Sequence, residues 1–395
     1  MKIDPIALTA DLIRCNSVTP AEGGAIQLLE KLLGENGFEC HRCDRNGIAN
    51  LYARTPSNGP IFGFGGHTDV VPEGDQSLWT HPPFDGVIAD DQLWGRGAVD
   101  MKSGVAAFVS AAIEYREAGG QGGIALLITG DEEGNAKDGT VAILDWMREH
   151  GEAVTHCLVG EPTSPETLGD MIKIGRRGSM TADFRAVGTQ GHTAYPHRSA
   201  NPLPPLMRLL DTIASHKLDE GTEHFDQSTL ALTTVDVGNP ANNVIPAEAT
   251  ATCNIRFNDA HTSKKLALWL LEEATKATLG SGVRIETNLR VSGESFITEP
   301  ETLASVLTEA IQAETGKTPE LSTTGGTSDA RFIKDMCPVA EFGLVGQTMH
   351  QTDERAPVEE IRALSRIYRG VLERYFAKKF ANKPSGNSTQ SILIK

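Results

Sequence analysis

Residues 124–134 read IALLITGDEEG, an apolar run that ends in three consecutive acidic residues. Such a run followed by a glycine is typical of a buried strand. Asp131, Glu132 and Glu133 therefore fall where the predicted strand ends. Adjacent carboxylates repel one another, so we expect a cation or hydrogen-bond donors to face them.

Strands and helices alternate on both sides of this stretch. PIFGFGGH (60–67) and THCLVG (155–160) predict two further buried strands. Helical patterns occur at 25–33, 101–119 and 139–151. This alternation is typical of a mostly parallel sheet with helices on both faces.

The pattern changes in the middle of the chain. SMTADFRAVG (179–188) and ATATCNIRFN (249–258) alternate apolar and polar residues, which indicates sheets with one solvated face. With helices near 203–216 and 263–278, residues 179–292 read β-α-β-β-α-β, a ferredoxin-like order.

The simplest domain arrangement is an α/β domain interrupted by an insertion. We predict a catalytic domain formed by residues 1–177 and 293–379, with helices near 301–315 and 357–379 and a strand near 338–343. The inserted α+β domain occupies 178–292. Residues 380–395, rich in polar residues, are predicted to be a flexible tail.

The composition limits the partners and the compartment. The net charge of -16 argues against binding to nucleic acid and to anionic membranes. No apolar run approaches the roughly 20 residues of a membrane span. MKIDPIALTA has no apolar segment typical of a secretory signal, and six scattered cysteines do not form a disulfide framework. We therefore expect reduced thiols and a cytoplasmic location.

Imidazole and carboxylate side chains gather where the predicted strands end. In open α/β sheets the ligand site lies beyond the carboxyl ends of the strands. Imidazole with carboxylate is a donor set that suits zinc and its neighbours. The residues concerned are His67, Asp69, Asp100, Glu132, Glu133, Glu161 and His350.

This inventory fits two metal ions better than one. His67, Glu161 and one oxygen of Asp100 can serve the first ion. Glu133, His350 and the other oxygen of Asp100 can serve the second. A bridging carboxylate is natural where two ions lie ~3.5–4 Å apart.

Two further acids have other tasks in this scheme. Asp69 can accept the second N–H of the His67 imidazole, which would fix its tautomer. Glu132 can act as a general base that takes a proton from water and passes it to the leaving amine.

Each signal has an ordinary alternative when it stands alone. An Asp-Glu-Glu loop is often a solvated turn, and Asp100 could simply cap the helix that follows it. The joint position at successive strand ends favours the metal site. GFGGHT has Thr68 where the dinucleotide-binding motif needs glycine, and no G-x-x-x-x-G-K-[ST], G-x-S-x-G or H-E-x-x-H occurs.

The motifs around these residues resemble those of the dinuclear zinc family of aminoacylases, glutamate carboxypeptidases and amino-acid deacylases. They are GHTDVVPEGD (66–75), PPFDG (82–86), GRGAVDMKSG (95–104), TGDEEG (129–134) and GEPT (160–163), and the resemblance extends over residues 1–378. It implies two Zn²⁺ per subunit, with Co²⁺ able to substitute. It also implies a cis peptide after Asp100 and the roles already given: His67 and Glu161 on one ion, Glu133 and His350 on the other, Asp100 bridging, Glu132 as base and Asp69 beside His67.

Other segments resemble the substrate site of one deacylase in that family: GDMIKIGRRGS (169–179), GHTAYPHRSANP (191–202), NNVIP (242–246) and TTGGTSDARF (323–332). They imply hydrolysis of N-succinyl-LL-2,6-diaminopimelate to succinate and LL-2,6-diaminopimelate. The alternatives are a related deacylase, such as N-acetylornithine deacetylase, a dipeptidase, or a silent homologue that only binds metal.

A substrate with three carboxylates calls for arginines and amide donors. A surface ion pair is the ordinary alternative for any one arginine. The candidates for substrate binding are Arg177, Ser179, Asn243, Arg256, Gly326 and Thr327.

The resemblance also gives the inserted domain a role as lid and dimerisation domain. It implies that His192 and Tyr195 reach the active site of the partner subunit of a homodimer. An imidazole there could stabilise an oxyanion. The chain departs from the family at Gly346, where many relatives carry asparagine, and this puts one substrate contact in doubt.

Overall fold

A computed structural model describes residues 3–299 and 302–381, with the backbone alone for 379–381. The helices in this part of the chain are α1 (Pro5–Arg14), α2 (Ala25–Glu35), α3 (Lys102–Glu117), α4 (Thr140–Glu149), α5 (Leu203–Ser215), α6 (Ser263–Thr278), α7 (Leu303–Thr315), α8 (Ala330–Ile333) and α9 (Val358–Ala381).

The strands are numbered in the same way. They are β1 (Glu39–Arg42), β2 (Leu51–Arg54), β3 (Ile61–His67), β4 (Val87–Ala89), β5 (Gln92–Trp94), β6 (Gly123–Thr129), β7 (His156–Val159), β8 (Met171–Lys173), β9 (Gly175–Arg176), β10 (Gly178–Val187), β11 (Gly191–His192), β12 (Thr229–Asp236), β13 (Val244–Ile245), β14 (Glu248–Phe257), β15 (Arg284–Gly293), β16 (Phe296–Ile297), β17 (Glu320–Ser322), β18 (Val339–Glu341) and β19 (Arg355–Pro357).

The described residues divide into two compact units. Unit 2 consists of Lys173–Thr298 and Ser322–Arg331, and unit 1 consists of the rest. The predicted boundaries at 178 and 292 therefore shift outward. The sequence also assigned residues 322–331 to the catalytic domain, whereas the structure joins them to unit 2.

Hydrogen bonds explain why residues 322–331 belong to unit 2. The Lys173 ammonium donates to the hydroxyls of Ser322 and Thr324. The Thr323 hydroxyl donates to the backbone carbonyl of His224. These bonds join residues about 100 or more positions apart in the chain, so the local sequence pattern does not contain them.

Unit 1 is built around a mixed sheet with the order β1-β2-β6-β3-β7-β18-β8-β17. The central strand β3 pairs in parallel with β6 and with β7, and β7 pairs in parallel with β18. All seven residues of β6 are buried, as expected for a strand covered on both faces. The predicted mostly parallel sheet is confirmed, with antiparallel β1 and β2 added at one edge.

Helix α3 packs on this sheet through aromatic side chains. The Phe108 ring on α3 stacks on Phe64 of β3 with ring centroids 4.1 Å apart. Gly104 lets α3 approach the end of β7, because a Cβ there would lie 2.5 Å from the carbonyl oxygen of Gly160. This close packing fixes the start of α3 beside the strand ends.

Unit 2 has an antiparallel sheet with the order β12-β14-β10-β15. Helices α5 and α6 cover one face of it, and the chain order is β10-α5-β12-β14-α6-β15. This confirms the predicted β-α-β-β-α-β arrangement. The alternating residues of β14 that the sequence placed on one face are all buried: Ala249, Ala251, Cys253, Ile255 and Phe257.

The C-terminal prediction is changed in part. Helix α9 continues to Ala381, so residues 380 and 381 are helical rather than part of a tail. The remainder of the predicted tail, 382–395, lies outside the described residues. None of the helices in the described part is both long enough and apolar enough to cross a bilayer.

Candidate metal centre

The carboxyl ends of three neighbouring strands of unit 1 carry the first candidate ligands. Strand β3 ends at His67, β6 leads into the loop with Glu132 and Glu133, and β7 is followed within two residues by Glu161. Because β6, β3 and β7 are adjacent and parallel, their ends meet at one edge of the sheet. The residues at these three strand ends therefore lie close together although they are far apart in the sequence.

Asp100 lies between two imidazoles. Its Oδ1 is 3.1 Å from His67 Nε2, and its Oδ2 is 3.3 Å from His350 Nε2. Glu161 Oε1 lies 3.8 Å from His67 Nε2, and Glu133 Oε1 lies 2.8 Å from His350 Nε2. Each oxygen of Asp100 thus faces one histidine with its own carboxylate partner, which is the grouping predicted for two ions.

The same donors meet a distance criterion for holding an ion. Ligand atoms of His67, Asp100 and Glu133 lie within 4.8 Å of one another, and so do those of His67, Glu132 and Glu161. Glu132 is thus beside the predicted first site rather than away from it. The peptide bond between Asp100 and Met101 is cis, as the resemblance implied.

These carboxylates raise the pKa values of both histidines. Burial alone would lower the pKa of His67, but the hydrogen bond with Asp100 and the charges of Glu161 and Asp69 raise it well above its ordinary value. Hydrogen bonds to Asp100 and Glu133 raise the pKa of His350 to about 10. The carboxylates around the two imidazoles therefore favour positive charge in the cluster.

The acids of the cluster divide into two kinds. Burial opposes ionisation of Asp100, but His350 and His67 outweigh it and lower its pKa. Burial raises the pKa of Glu161 well above its ordinary value, and the nearby charges of Asp100 and Glu132 add to this. Several carboxylates facing two imidazoles form a site with excess negative charge, which fits divalent cations.

The structure corrects the contact predicted for Asp69. His67 Nδ1 lies 2.8 Å from the backbone carbonyl oxygen of Asp69, whereas its carboxylate Oδ1 is 3.7 Å away. The carboxylate oxygens instead accept the backbone N–H groups of Glu132 and Glu133. The carbonyl can fix the His67 tautomer with Nε2 turned to the cluster, so the side chain serves the Glu132–Glu133 loop.

A second set of hydrogen bonds, made by Asp131, stabilises the loop after β6. Asp131 Oδ2 accepts the backbone N–H groups of Lys137 and Asp138 at 3.0 and 3.1 Å. The three adjacent acids therefore have different surroundings. Asp131 closes the loop, Glu132 lies near His67, and Glu133 pairs with His350.

Five of the substrate candidates belong to, or lie beside, a group of arginines within unit 2: Arg177, Ser179, Arg256, Gly326 and Thr327. Ser179 on β10 is directly opposite Arg256 on β14. Burial, and then the positive charges of Arg177 and Arg331, lower the pKa of Arg256. The guanidinium of Arg176 donates to the carbonyl oxygen of Gly326, and Thr327 follows Gly326 in the same segment.

From the sequence, Arg177 was named as a substrate candidate and Arg176 was not considered. Arg176 is buried and contacts the Gly326 turn, whereas Arg177 donates to the carbonyl oxygen of Gln227. The side chains of adjacent residues in extended chain point to opposite sides. This alternation was the one signal in the sequence that could separate the two arginines, and using it required knowing to which side one of them points.

The remaining candidates form a separate group in unit 2. His192 on β11 pairs with Val244 on β13, next to Asn243, whose carbonyl oxygen accepts the N–H of Thr193. The rings of His192 and Tyr195 have centroids 5.8 Å apart. All three predicted residues are exposed, with Tyr195 51% exposed.

The sequence of the chain matches a known protein family. The model of peptidase family M20/M25/M40 matches residues 63–374. The chain belongs to this family. The family predicted from the sequence is confirmed, and the match extends from strand β3, which carries His67, to helix α9.

Curated relatives match the chain over nearly its whole length. A succinyl-diaminopimelate desuccinylase of Cereibacter sphaeroides is 61% identical over 380 residues, which cover 95% of this chain and 100% of the relative. Succinyl-diaminopimelate desuccinylase 1 of Ruegeria sp. is 56% identical over 377 residues, covering 95% and 99%.

Solved structures share the fold at low identity. An M20 family metallo-carboxypeptidase of Sulfolobus solfataricus has a TM-score of 0.78 at 15% identity, with 94% of this chain and 99% of that chain covered. A dinuclear metal-binding M20 peptidase of Bacillus subtilis has a TM-score of 0.71 at 16% identity, with 93% and 96% covered.

Proposed function

We propose that this chain is a metal-dependent amidohydrolase that converts N-succinyl-LL-2,6-diaminopimelate to succinate and LL-2,6-diaminopimelate. The reaction belongs to lysine and meso-diaminopimelate biosynthesis. The observation that carries the substrate is the 61% identity, over the full length of the relative, to a succinyl-diaminopimelate desuccinylase. The candidate metal centre supports the type of reaction.

We infer that two divalent ions bind per subunit, with zinc as the native metal and cobalt as a substitute. His67, Glu161 and one oxygen of Asp100 would hold the first, and Glu133, His350 and the other oxygen of Asp100 would hold the second. The excess of carboxylates over imidazoles in this cluster supports that assignment. When bound, such ions polarise the amide carbonyl and make water easier to deprotonate.

Glu132 is the proposed general base. It takes a proton from the attacking water as the oxygen adds to the succinyl carbonyl carbon. It then delivers that proton to the nitrogen as the C–N bond breaks, which leaves succinate and a free amine. The Asp69 carboxylate supports this role, because its bond to the Glu132 N–H holds the backbone of the base in place.

The arginine group in unit 2 is proposed to bind substrate carboxylates. Burial, and then the positive charges of Arg177 and Arg331, lower the pKa of Arg256, and an anion beside its guanidinium would offset the repulsion from the other two arginines. Ser179, Gly326 and Thr327 would supply hydroxyl and backbone groups beside it.

A homodimer is proposed from the exposed face of unit 2. Strand β12 lies at the edge of its sheet, so one row of its backbone hydrogen-bonding groups is unpaired within that sheet. Leu232 and Val235 on this strand are exposed apolar residues. Pairing with a second copy would cover them, and His192, Tyr195 and Asn243 would then serve the site of the partner subunit, with His192 stabilising the oxyanion. We also propose a cytoplasmic location.

The test is substrate profiling of the metal-loaded protein. N-succinyl-LL-2,6-diaminopimelate, N-acetylornithine and a dipeptide are compared at equal concentration by measuring the free amine released. We expect turnover of the succinyl substrate to exceed that of the others. Preferred turnover of N-acetylornithine or of the dipeptide would assign the chain to another activity of the family.

A further inference from the structure

A buried carboxylate four residues after His350 is held by the loop that carries Asp100. Glu354 is fully buried. Its Oε1 accepts the backbone N–H groups of Val99 and Asp100 at 2.9 and 3.1 Å. Its Oε2 accepts the N–H of Gly97 at 3.0 Å and the guanidinium N–H of Arg96 at 2.8 Å.

The backbone of Glu354 contributes to the same contact. Its carbonyl oxygen accepts the N–H of Gly95 at 2.9 Å. Residues 95–100 lie between β5 and α3, outside any strand or helix, so their buried N–H groups depend on partners of this kind. One residue therefore supplies the acceptors for four N–H groups of the loop.

Arg96 ties the loop to the His350 segment from the other side. Its Nη1 donates both to Glu354 and, at 3.1 Å, to the carbonyl oxygen of Gln351. Hydrogen bonds of Glu354 and of Arg96 thus join the segment that begins at His350 to the loop that ends at Asp100. None of these bonds involves the imidazole of His350 or the carboxylate of Asp100.

Burying an acid in this way has a cost that needs an explanation. Burial raises the pKa of Glu354, although the bonds from Gly97, Val99 and Arg96 oppose the shift. A buried charge is costly unless it is paired and hydrogen-bonded. An uncharged side chain could fill the space, but it could not accept this number of N–H groups.

We propose that Glu354 is a positioning residue that sets the distance between the Asp100 carboxylate and the His350 imidazole. The inference rests on the proposed metal centre, in which these two groups share one ion. The N–H of Asp100 is itself bonded to Glu354, so a shift of Glu354 moves Asp100 directly. Residues that orient metal ligands in this way commonly contribute 10–100-fold to metal affinity.

The alternative is that Glu354 only stabilises the fold through its ion pair with Arg96. Metal binding separates the two roles. A purely structural residue changes the thermal midpoint of the folded protein, but the folded fraction binds both ions as before. A positioning residue weakens at least the ion shared by Asp100 and His350, even where the protein is fully folded.

The experiment compares wild type with Glu354→Gln by calorimetric titration of the chelator-treated protein with Zn²⁺. The visible spectrum of the Co²⁺-loaded protein is recorded as well. We expect two ions in wild type, and in the variant a loss of about 10–100-fold in affinity for one of them with an altered Co²⁺ spectrum. Glutamine offers one acceptor oxygen where two are used.

Glu152→Gln is the matched control. Glu152 also accepts from an arginine, at 2.7 Å from Arg54 Nη1, and from the hydroxyl of Tyr52, but it contacts none of the proposed ligands in these bonds. It should keep wild-type metal affinity. If Glu354→Gln does not fold, Arg96→Lys, which keeps the positive charge but loses the forked donor, should weaken the same ion.

The outcomes are distinct from those of the proposed function. Two ions bound at wild-type affinity with an unchanged Co²⁺ spectrum, in folded Glu354→Gln or in Arg96→Lys, would overturn the role of Glu354 alone. A wild-type protein that binds no divalent metal would instead overturn the proposed metal centre.

Discussion

The metal cluster of unit 1 and the arginine group of unit 2 gather charges of opposite sign. In the cluster, acids contact imidazoles directly, and His67, Asp100 and Glu161 are buried. In the arginine group, like charges act on Arg256. Negative charge is in excess in the first set, which favours bound cations, whereas positive charge is in excess in the second, which favours an anion. We infer that the metal cluster carries out the hydrolysis and that the arginines select the substrate.

The largest expected effect is on Glu132. Glu132→Gln should lower kcat by at least ~100-fold, because the amide cannot take the proton from water. Metal content per chain should not change, since Glu132 is proposed as base and not as a ligand. Glu149→Gln, on helix α4, is the control. A near-normal rate would remove Glu132 from the mechanism, and loss of an ion would make it a ligand.

Asp69→Asn tests the corrected contact of that residue. One N–H of the Glu132–Glu133 loop would face an amide NH₂, so we expect kcat to fall about 10–100-fold, the usual range for residues that support a metal site. The ion at His67 should stay bound, because the His67 Nδ1 contact is with the backbone carbonyl oxygen of Asp69. Selective loss of that ion would show that the carboxylate orients His67.

Arg256→Ala should act on binding rather than on chemistry. Hydrogen bonds to charged groups contribute ~1.5–3 kcal/mol, which corresponds to a rise in KM of roughly 10–150-fold with little change in kcat. Arg185→Ala is the matched control, since Arg185 on β10 pairs with Glu286 and Glu248 on the same sheet. Equal KM values for the two variants would contradict the carboxylate role of Arg256.

The smallest expected effect is on acid stability and concerns Asp219 in unit 2. Burial opposes ionisation of this acid, but hydrogen bonds from Ser228, Gly221 and Asn258 lower its pKa to about 2 from the ordinary 3.8. Its contribution to stability is therefore present above pH ~3.8 and is lost as the pH falls through about 2.

Acid titration of folding checks the Asp219 prediction. Asp219→Asn should flatten the dependence of unfolding on pH in that window, as measured by circular dichroism. Asp236→Asn, an exposed position at the end of β12, serves as the control. Identical acid titrations of wild type and Asp219→Asn would show that the bonds to Asp219 do not stabilise its ionised form.

The sequence predicts the long elements well because their patterns are local. Helix α6 has the predicted bounds, 263–278, and the strand that precedes Asp131 ends at Thr129. Short pieces such as the three-residue strands β4, β5 and β19 were missed, because so few residues show no period. His67, Glu133 and Glu161 were identified because each closely follows a strong strand signal, whereas Asp100 lies in the loop between β5 and α3 and His350 lies nine residues after the end of β18.

The supporting contacts were out of reach for a physical reason. Asp69 bonds to backbone atoms more than 60 residues away, and Glu354 to atoms more than 250 residues away. Backbone N–H groups look the same in every sequence, so no residue pattern marks which acid will accept them. The different placement of residues 322–331 has a related cause, because the bonds that join them to unit 2 also connect residues far apart in the sequence.

The central claim is that this chain releases succinate only through its metal cluster. The most direct test is stepwise return of Zn²⁺ to chelator-treated protein, with metal per chain and succinate release from N-succinyl-LL-2,6-diaminopimelate measured at each step. We predict no release from the metal-free protein and full activity at two ions per chain. Succinate release at the full rate by protein shown to hold no metal would contradict the account.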